Sequence, residues 1–102
     1  MTIKTNNENG IVTLLLDGWL DTEASPLLGA AVEEICEARK LILDFEKVEY
    51  MSSAGLRQVV AANRKAGALE AEFCVIHVNS EVMSIFHISG IDRKISVSAI
   101  GE

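Results

Sequence analysis

A chain of 102 residues with 49% hydrophobic residues and a positive mean hydropathy can bury one core without disulfide or metal staples, and is too apolar to stay disordered. Its formal net charge of -6 and pI of about 4.8 repel phosphate backbones and anionic lipid heads, and no basic cluster offsets them, which argues against direct nucleic-acid binding. The longest apolar runs fall short of a bilayer span and the opening MTIKTNNENG lacks the layout of a secretory signal, so no membrane insertion and a cytoplasmic location are expected.

A single proline, Pro26, and the absence of linker-like, low-complexity or repeated segments point to one domain over residues 1–102. TIKT and IVTLLLD are β-rich runs flanking Asn9-Gly10, a pair that tolerates positive φ, and so read as an antiparallel hairpin. From Ser25 to Ala38, Leu28, Ala31, Val32 and Ile35 recur at helical spacing opposite Glu33, Glu34 and Glu37, with Pro26 suited to the first turn. LILDF, residues 41–45, reads as a central strand covered on both faces, and EKVEYMSSAG as the loop from that strand to a second helix.

In that helix Leu56, Val59, Val60 and Asn63 form the inward stripe, Arg57, Arg64 and Lys65 face outward, and Gly67 ends it. EFCVIHV is a buried strand. In SEVMSIFHISG, Ser80 is the expected cap, Val82, Met83, Ile85 and Phe86 the apolar stripe, and Gly90 the stop. KISVSA closes as a strand with Ile95, Val97 and Ala99 alternating. The order predicts an α/β fold: a mixed sheet that opens with an antiparallel hairpin and continues with parallel strands joined by amphipathic helices. In such sheets function gathers beyond the carboxyl ends of the parallel strands, where Ser52 and Ser53 fall.

Two adjacent hydroxyls at the start of a helix are either caps for its unpaired amides or a reactive, modifiable group. A hydrolase nucleophile is disfavoured, because Ser53 has Gly55 after it but Met51 where the elbow needs a second glycine, and no histidine and acid are identifiable as its partners. His77, His87, Cys36 and Cys74 show no metal-ligand spacing and read as ordinary packed or half-exposed residues. The cysteines are too far apart in sequence, and too embedded in apolar stretches, to read as a disulfide framework. With no phosphate-binding glycine loop and no paired catalytic carboxylates, the sequence predicts neither an enzyme nor a cofactor or metal site.

LILDFEKVEYMSSAGLRQVVAANRKA resembles the signature of the STAS domain, the family of bacterial anti-sigma factor antagonists that also occurs appended to sulfate transporters. GWLD near residue 20 is similar to the family's early Gly-x-Leu-Asp element, and SEVMSIFHISGI to its late helix ending in Ser-Gly, so three blocks match in order. In the antagonists the first serine of an Asp-Ser-Ser-Gly motif is phosphorylated by a partner kinase that is also the anti-sigma factor. Aligned on Gly55 and Leu56, the resemblance implies Ser53 as the acceptor, with Ser52 in place of the common Asp and Ala54 in place of the second serine.

The resemblance implies a partner-binding surface made of Trp19, Asp21, Ser52, Ser53, Ala54 and Arg57, and a kinase-type anti-sigma factor as the partner. The alternative it offers is a STAS subunit docked permanently in a larger assembly, such as a lipid-transport ABC ATPase complex. From the residues alone, Asp21 favours a helix cap or turn over partner contact, Asp44 a strand-end role bonding loop amides, and Arg57, Arg64 and Lys65 a solvated helix face. For Trp19 a partner anchor and edge packing weigh equally.

Overall fold

The computed structural model describes residues 1–101. Strands β1 (Thr2–Glu8) and β2 (Ile11–Leu20) form the expected hairpin. Its two-residue turn places Asn9 at φ 54° and Gly10 at φ 83°, the positive values that let a tight turn follow the twist of its strands. The chain continues through α1 (Ser25–Glu33), β3 (Lys40–Met51), α2 (Ser53–Ala68), β4 (Glu72–Val78), α3 (Ser80–Ser89) and β5 (Ser96–Ala99), with a 3₁₀ turn at Ile91–Arg93. The sheet runs in chain order, β1-β2-β3-β4-β5, and only the β1–β2 pair is antiparallel.

Because every parallel crossover advances in the same direction and crossovers share one hand, all three helices fall on one face of the sheet. Burial follows: Val12, Leu14 and Leu16 on β2, Leu41, Leu43 and Phe45 on β3, and Val75 on β4 point into the core beneath the helices. Phe45 meets Phe86 of α3 there, with ring centroids 6.0 Å apart. The alternate residues Leu15, Ile42, Asp44 and Ile76 stay exposed or half-buried on the open face. LILDF is therefore covered on one face and not, as its apolar run implied, on both.

Four boundaries differ from the sequence reading. β3 does not end at Phe45 but runs to Met51, held by pairing with β2 as far as Leu20↔Met51, so that Ser52 alone separates strand from helix. α1 stops at Glu33, short of Ala38; Ile35 remains buried because the chain turns it inward after the helix ends. In α2 the buried stripe is Gly55, Val59, Ala62 and Ala66, and the helix passes Gly67 to end at Ala68. The cap of α3 is Asn79, whose side-chain oxygen accepts from the Val82 amide at 2.8 Å; Ser80 is the first helical residue.

Three register shifts interrupt the sheet: one lies between Gly18↔Val48 and Trp19↔Tyr50 near the end of β2, and the other two are bulges lying side by side. Between Leu15↔Asp44 and Asp17↔Lys47, β3 carries one residue more than β2, and between Val75↔Val97 and Val78↔Ala99, β4 carries one more than β5. Each leaves two successive residues off the covered face: Glu46 and Lys47 between buried Phe45 and Val48, Ile76 and His77 between buried Val75 and Val78.

Candidate functional site

The carboxyl ends of β2 and β3 and the first turn of α2 meet at one end of the sheet. Ser52, extended at φ -86° and ψ 173°, is the N-cap of α2, its Oγ accepting from the Gly55 amide at 3.2 Å. The same hydroxyl donates to the Leu20 carbonyl at 3.4 Å, and the Ser52 amide donates to that carbonyl at 2.9 Å. Gly55 is required by the close approach of helix to strand: a Cβ on it would lie 2.5 Å from the Leu20 carbonyl oxygen and 2.8 Å from Leu20 Cγ. Cap and glycine together seat α2 against the end of β2.

Ser53 is the first residue of α2; its side chain is exposed, and its hydroxyl has no hydrogen-bond partner among the described residues. The two serines thus divide the alternatives that the sequence left open, one hydroxyl consumed by capping and its neighbour free. The first turn of α2 carries no acidic residue, so the positive end of its dipole faces solvent uncompensated, a setting that favours an anion. Ala54 is half-buried beside it and Arg57 is exposed one turn along.

Trp19 and Tyr50 are register partners on β2 and β3, their ring centroids 5.5 Å apart and planes inclined at 53°. They remain 57% and 43% exposed, large apolar surface that the chain itself does not cover. Trp19 also borders a shallow depression with Met1, Asp21, Glu23, Ala24 and Leu27. Tyr50 and Leu27 escaped the sequence reading: only the β2–β3 register shows that Tyr50 abuts Trp19.

Asp21 caps a turn, Oδ1 accepting from the Ala24 amide at 2.9 Å and its carbonyl from the Ser25 amide at 2.8 Å. Lys65 is not free of the fold: its Nζ lies 3.9 Å from the Glu33 carboxylate and 3.5 Å from the Glu33 carbonyl, tying α2 to α1. Asp44 sits mid-strand rather than at a strand end; its Oδ1 accepts from the Glu46 amide at 3.0 Å and lies 3.0 Å from His77 Nδ1. Both histidines have acidic partners that sequence spacing did not disclose, His87 Nδ1 lying 3.2 Å from Asp92 Oδ2. Burial pushes the Cys74 thiol above its ordinary range, opposed by Lys40 and reinforced by Glu72, away from the serine turn.

The STAS domain family model matches residues 2–100. The anti-sigma-F factor antagonist RsfB of Mycobacterium tuberculosis is 26% identical over 95 residues, covering 91% of this chain and 77% of that protein. Among solved structures, an anti-sigma factor antagonist from Mycobacterium paratuberculosis superposes with a TM-score of 0.86 at 22% identity, over 95% of this chain and 84% of that one. The phosphorylated form of the Bacillus cell fate determinant SpoIIAA superposes with a TM-score of 0.74 at 19% identity, over 94% and 90%. With a family match from residue 2 to residue 100 and the same five-stranded mixed sheet behind it, the chain belongs to the STAS domain family.

Proposed function

We propose that this protein is a phospho-switch of the anti-sigma factor antagonist type: with Ser53 bare it binds a kinase-type anti-sigma factor, and phosphorylation of Ser53 releases that partner. The observation that carries this reading is the division of labour at the turn, Ser52 bonded on both sides and Ser53 exposed at the start of α2 with its hydroxyl unengaged. A phosphate there brings roughly -1.5 to -2 charges and three acceptor oxygens. The free amides and dipole of α2 favour that charge, so the fold survives and the effect falls on whatever packs over the turn. Trp19, Asp21, Ala54 and Arg57 supply the surrounding partner surface, extended by Tyr50. The protein acts by binding, in the cytoplasm, and catalyses nothing itself.

Support also comes from the similarity to RsfB and from the fold shared with SpoIIAA, known in a phosphorylated form. The test incubates the protein with ATP and the purified kinase encoded nearest its gene. One phosphate is expected, mapped by mass spectrometry to Ser53 and abolished in Ser53→Ala. Wild type and Ser53→Ala should retain the partner in a pull-down, and Ser53→Asp should lose much of it. Label on Ser52 overturns the site assignment. Equal retention of one transporter ATPase by all three baits replaces the switch with the permanently docked STAS subunit.

A further inference from the structure

We propose that Asp44, Glu46 and His77 form a binding site for a divalent transition-metal ion on the open face of the sheet. Each of the three offers a ligand atom, and these atoms lie within 4.8 Å of one another. The sheet is deformed where they meet. The bulge in β3 falls between Asp44 and Lys47 and exposes Glu46, while the adjacent bulge in β4 keeps His77 off the covered face, with its backbone at φ 59°. Regular alternation would have turned His77 under the helices with Val75; the extra residue places it beside Asp44 instead.

The geometry suits a chelate. His77 Nδ1 and Asp44 Oδ1 are 3.0 Å apart. An ion about 2.1 Å from each would subtend an angle of roughly 90° between them, the cis angle of a six-coordinate centre. Binding at Nδ1 displaces the hydrogen that His77 shares with Asp44, and the neutral ring then carries its hydrogen on Nε2. Asp44 is held in place by the Glu46 amide, and only 13% of its side chain is exposed; His77 is 38% exposed, so the pair is fixed yet reachable. Glu46 is exposed and free to swing in as the third ligand.

One imidazole nitrogen with two carboxylates is a donor set for nickel, zinc or manganese rather than for magnesium or calcium, which bind through oxygen. The groove beside Asp44 and Glu46 also holds Asp17, Lys4 and Lys47, so three acids there face two lysines and the balance admits a cation.

The experiment titrates Ni²⁺ or Zn²⁺ alone into a Cys36→Ser background, which removes the exposed thiol, and follows heat and backbone amide NMR spectra together. A one-to-one isotherm is expected, with Ni²⁺ broadening the amides of residues 44–46 and 76–78 first and excess Mg²⁺ failing to compete. His77→Gln and Asp44→Asn should each weaken binding about tenfold or more, at least the cost of losing an outer-sphere partner. Glu46→Gln, at an exposed position that leaves the fold alone, should weaken it in the same direction. His87→Gln should leave it unchanged, because the His87–Asp92 pair lies elsewhere. No isotherm, broadening centred on His87, or binding indifferent to both His77→Gln and Glu46→Gln overturns the proposal.

Discussion

Ser52 and Leu20, 32 residues apart, are joined through one carbonyl: the Leu20 oxygen accepts from both the amide and the hydroxyl of Ser52. That carbonyl is also the atom nearest a Cβ built on Gly55. The end of β2, the cap of α2 and the glycine in its first turn are therefore one packing unit, and the free hydroxyl of Ser53 is positioned by that unit without taking part in it.

Gly55→Ala should destabilise the fold, because the clash is with backbone and the helix must lift off β2. Overpacking of this kind costs about 1–3 kcal/mol. Urea denaturation should show the midpoint falling at unchanged slope, and a loss under about 0.5 kcal/mol, the range of surface changes, would contradict the seating described.

The two serines should separate in the same assay. Ser52→Ala removes a cap and should cost about 1 kcal/mol. Ser53→Ala should stay within about 0.5 kcal/mol, as an exposed substitution with no bonds to lose. Equal losses would mean that Ser53 also holds the turn.

Ser53→Asp should leave the melting temperature nearly unchanged, since a negative charge at the start of a helix contributes about 0.3–1 kcal/mol in favour of folding. Binding of the kinase-type partner should fall steeply in the same variant, because an unpaired charge in an interface costs roughly 3–5 kcal/mol. Broad, uncooperative melting would show instead that charge unfolds the turn.

Trp19 is the only tryptophan, so its fluorescence reports this end of the sheet directly. Partner binding should shift its emission to the blue, and Trp19→Ala should weaken binding by about 2 kcal/mol or more if it acts as an anchor. Its half-exposed position leaves stability little affected. Unaltered emission in the complex would put the interface elsewhere.

The two thiols should differ in reactivity. Cys36 is exposed, whereas Cys74 is partly buried with its pKa raised, so a thiolate-selective reagent at neutral pH should modify Cys36 well before Cys74. A raised folded-state thiol pKa leaves stability unaffected at neutral pH, where both states hold the proton. Stability then falls as pH rises past the unfolded thiol's value, because the unfolded chain ionises first. Cys74→Ser should flatten that alkaline decline; an unchanged slope would assign it to other groups.

Element type and order were legible because apolar periodicity and turn residues are local signals: Asn9-Gly10, the span of EFCVIHV and Gly90 sit where they promised, although that strand buries only Val75 and Val78 and is not buried along its length. What was not legible depends on pairing across the sheet. EKVEYM, with charges at Glu46, Lys47 and Glu49 that break any period-two pattern, looks like a loop and becomes strand only because β2 extends alongside it to Leu20. Of the stripe Leu56, Val59, Val60 and Asn63 expected in α2, only Val59 is fully buried; Gly55, Ala62 and Ala66 take the other inward places, because small residues with little side chain to advertise burial let the helix lie against the sheet. Trp19 beside Tyr50 is a contact of register and Asp44 beside His77 a contact made by the bulge after its register partner Ile76; they join residues 31 and 33 apart, and no local pattern encodes them.

Chain order and sheet order coincide, and this has a consequence for local opening. Each parallel strand is flanked only by its predecessor and successor in sequence, so α3 and β5 can detach from Val78 onward without breaking any pairing among β1 to β4. β5 is the shortest strand, four residues on an edge, whereas β3 is paired on both sides. Amide hydrogen exchange should therefore form a gradient, slowest in β3 and fastest toward β5. The serine turn is anchored at the protected end of that gradient, so a chain breathing at its carboxyl terminus still presents Ser53 in register.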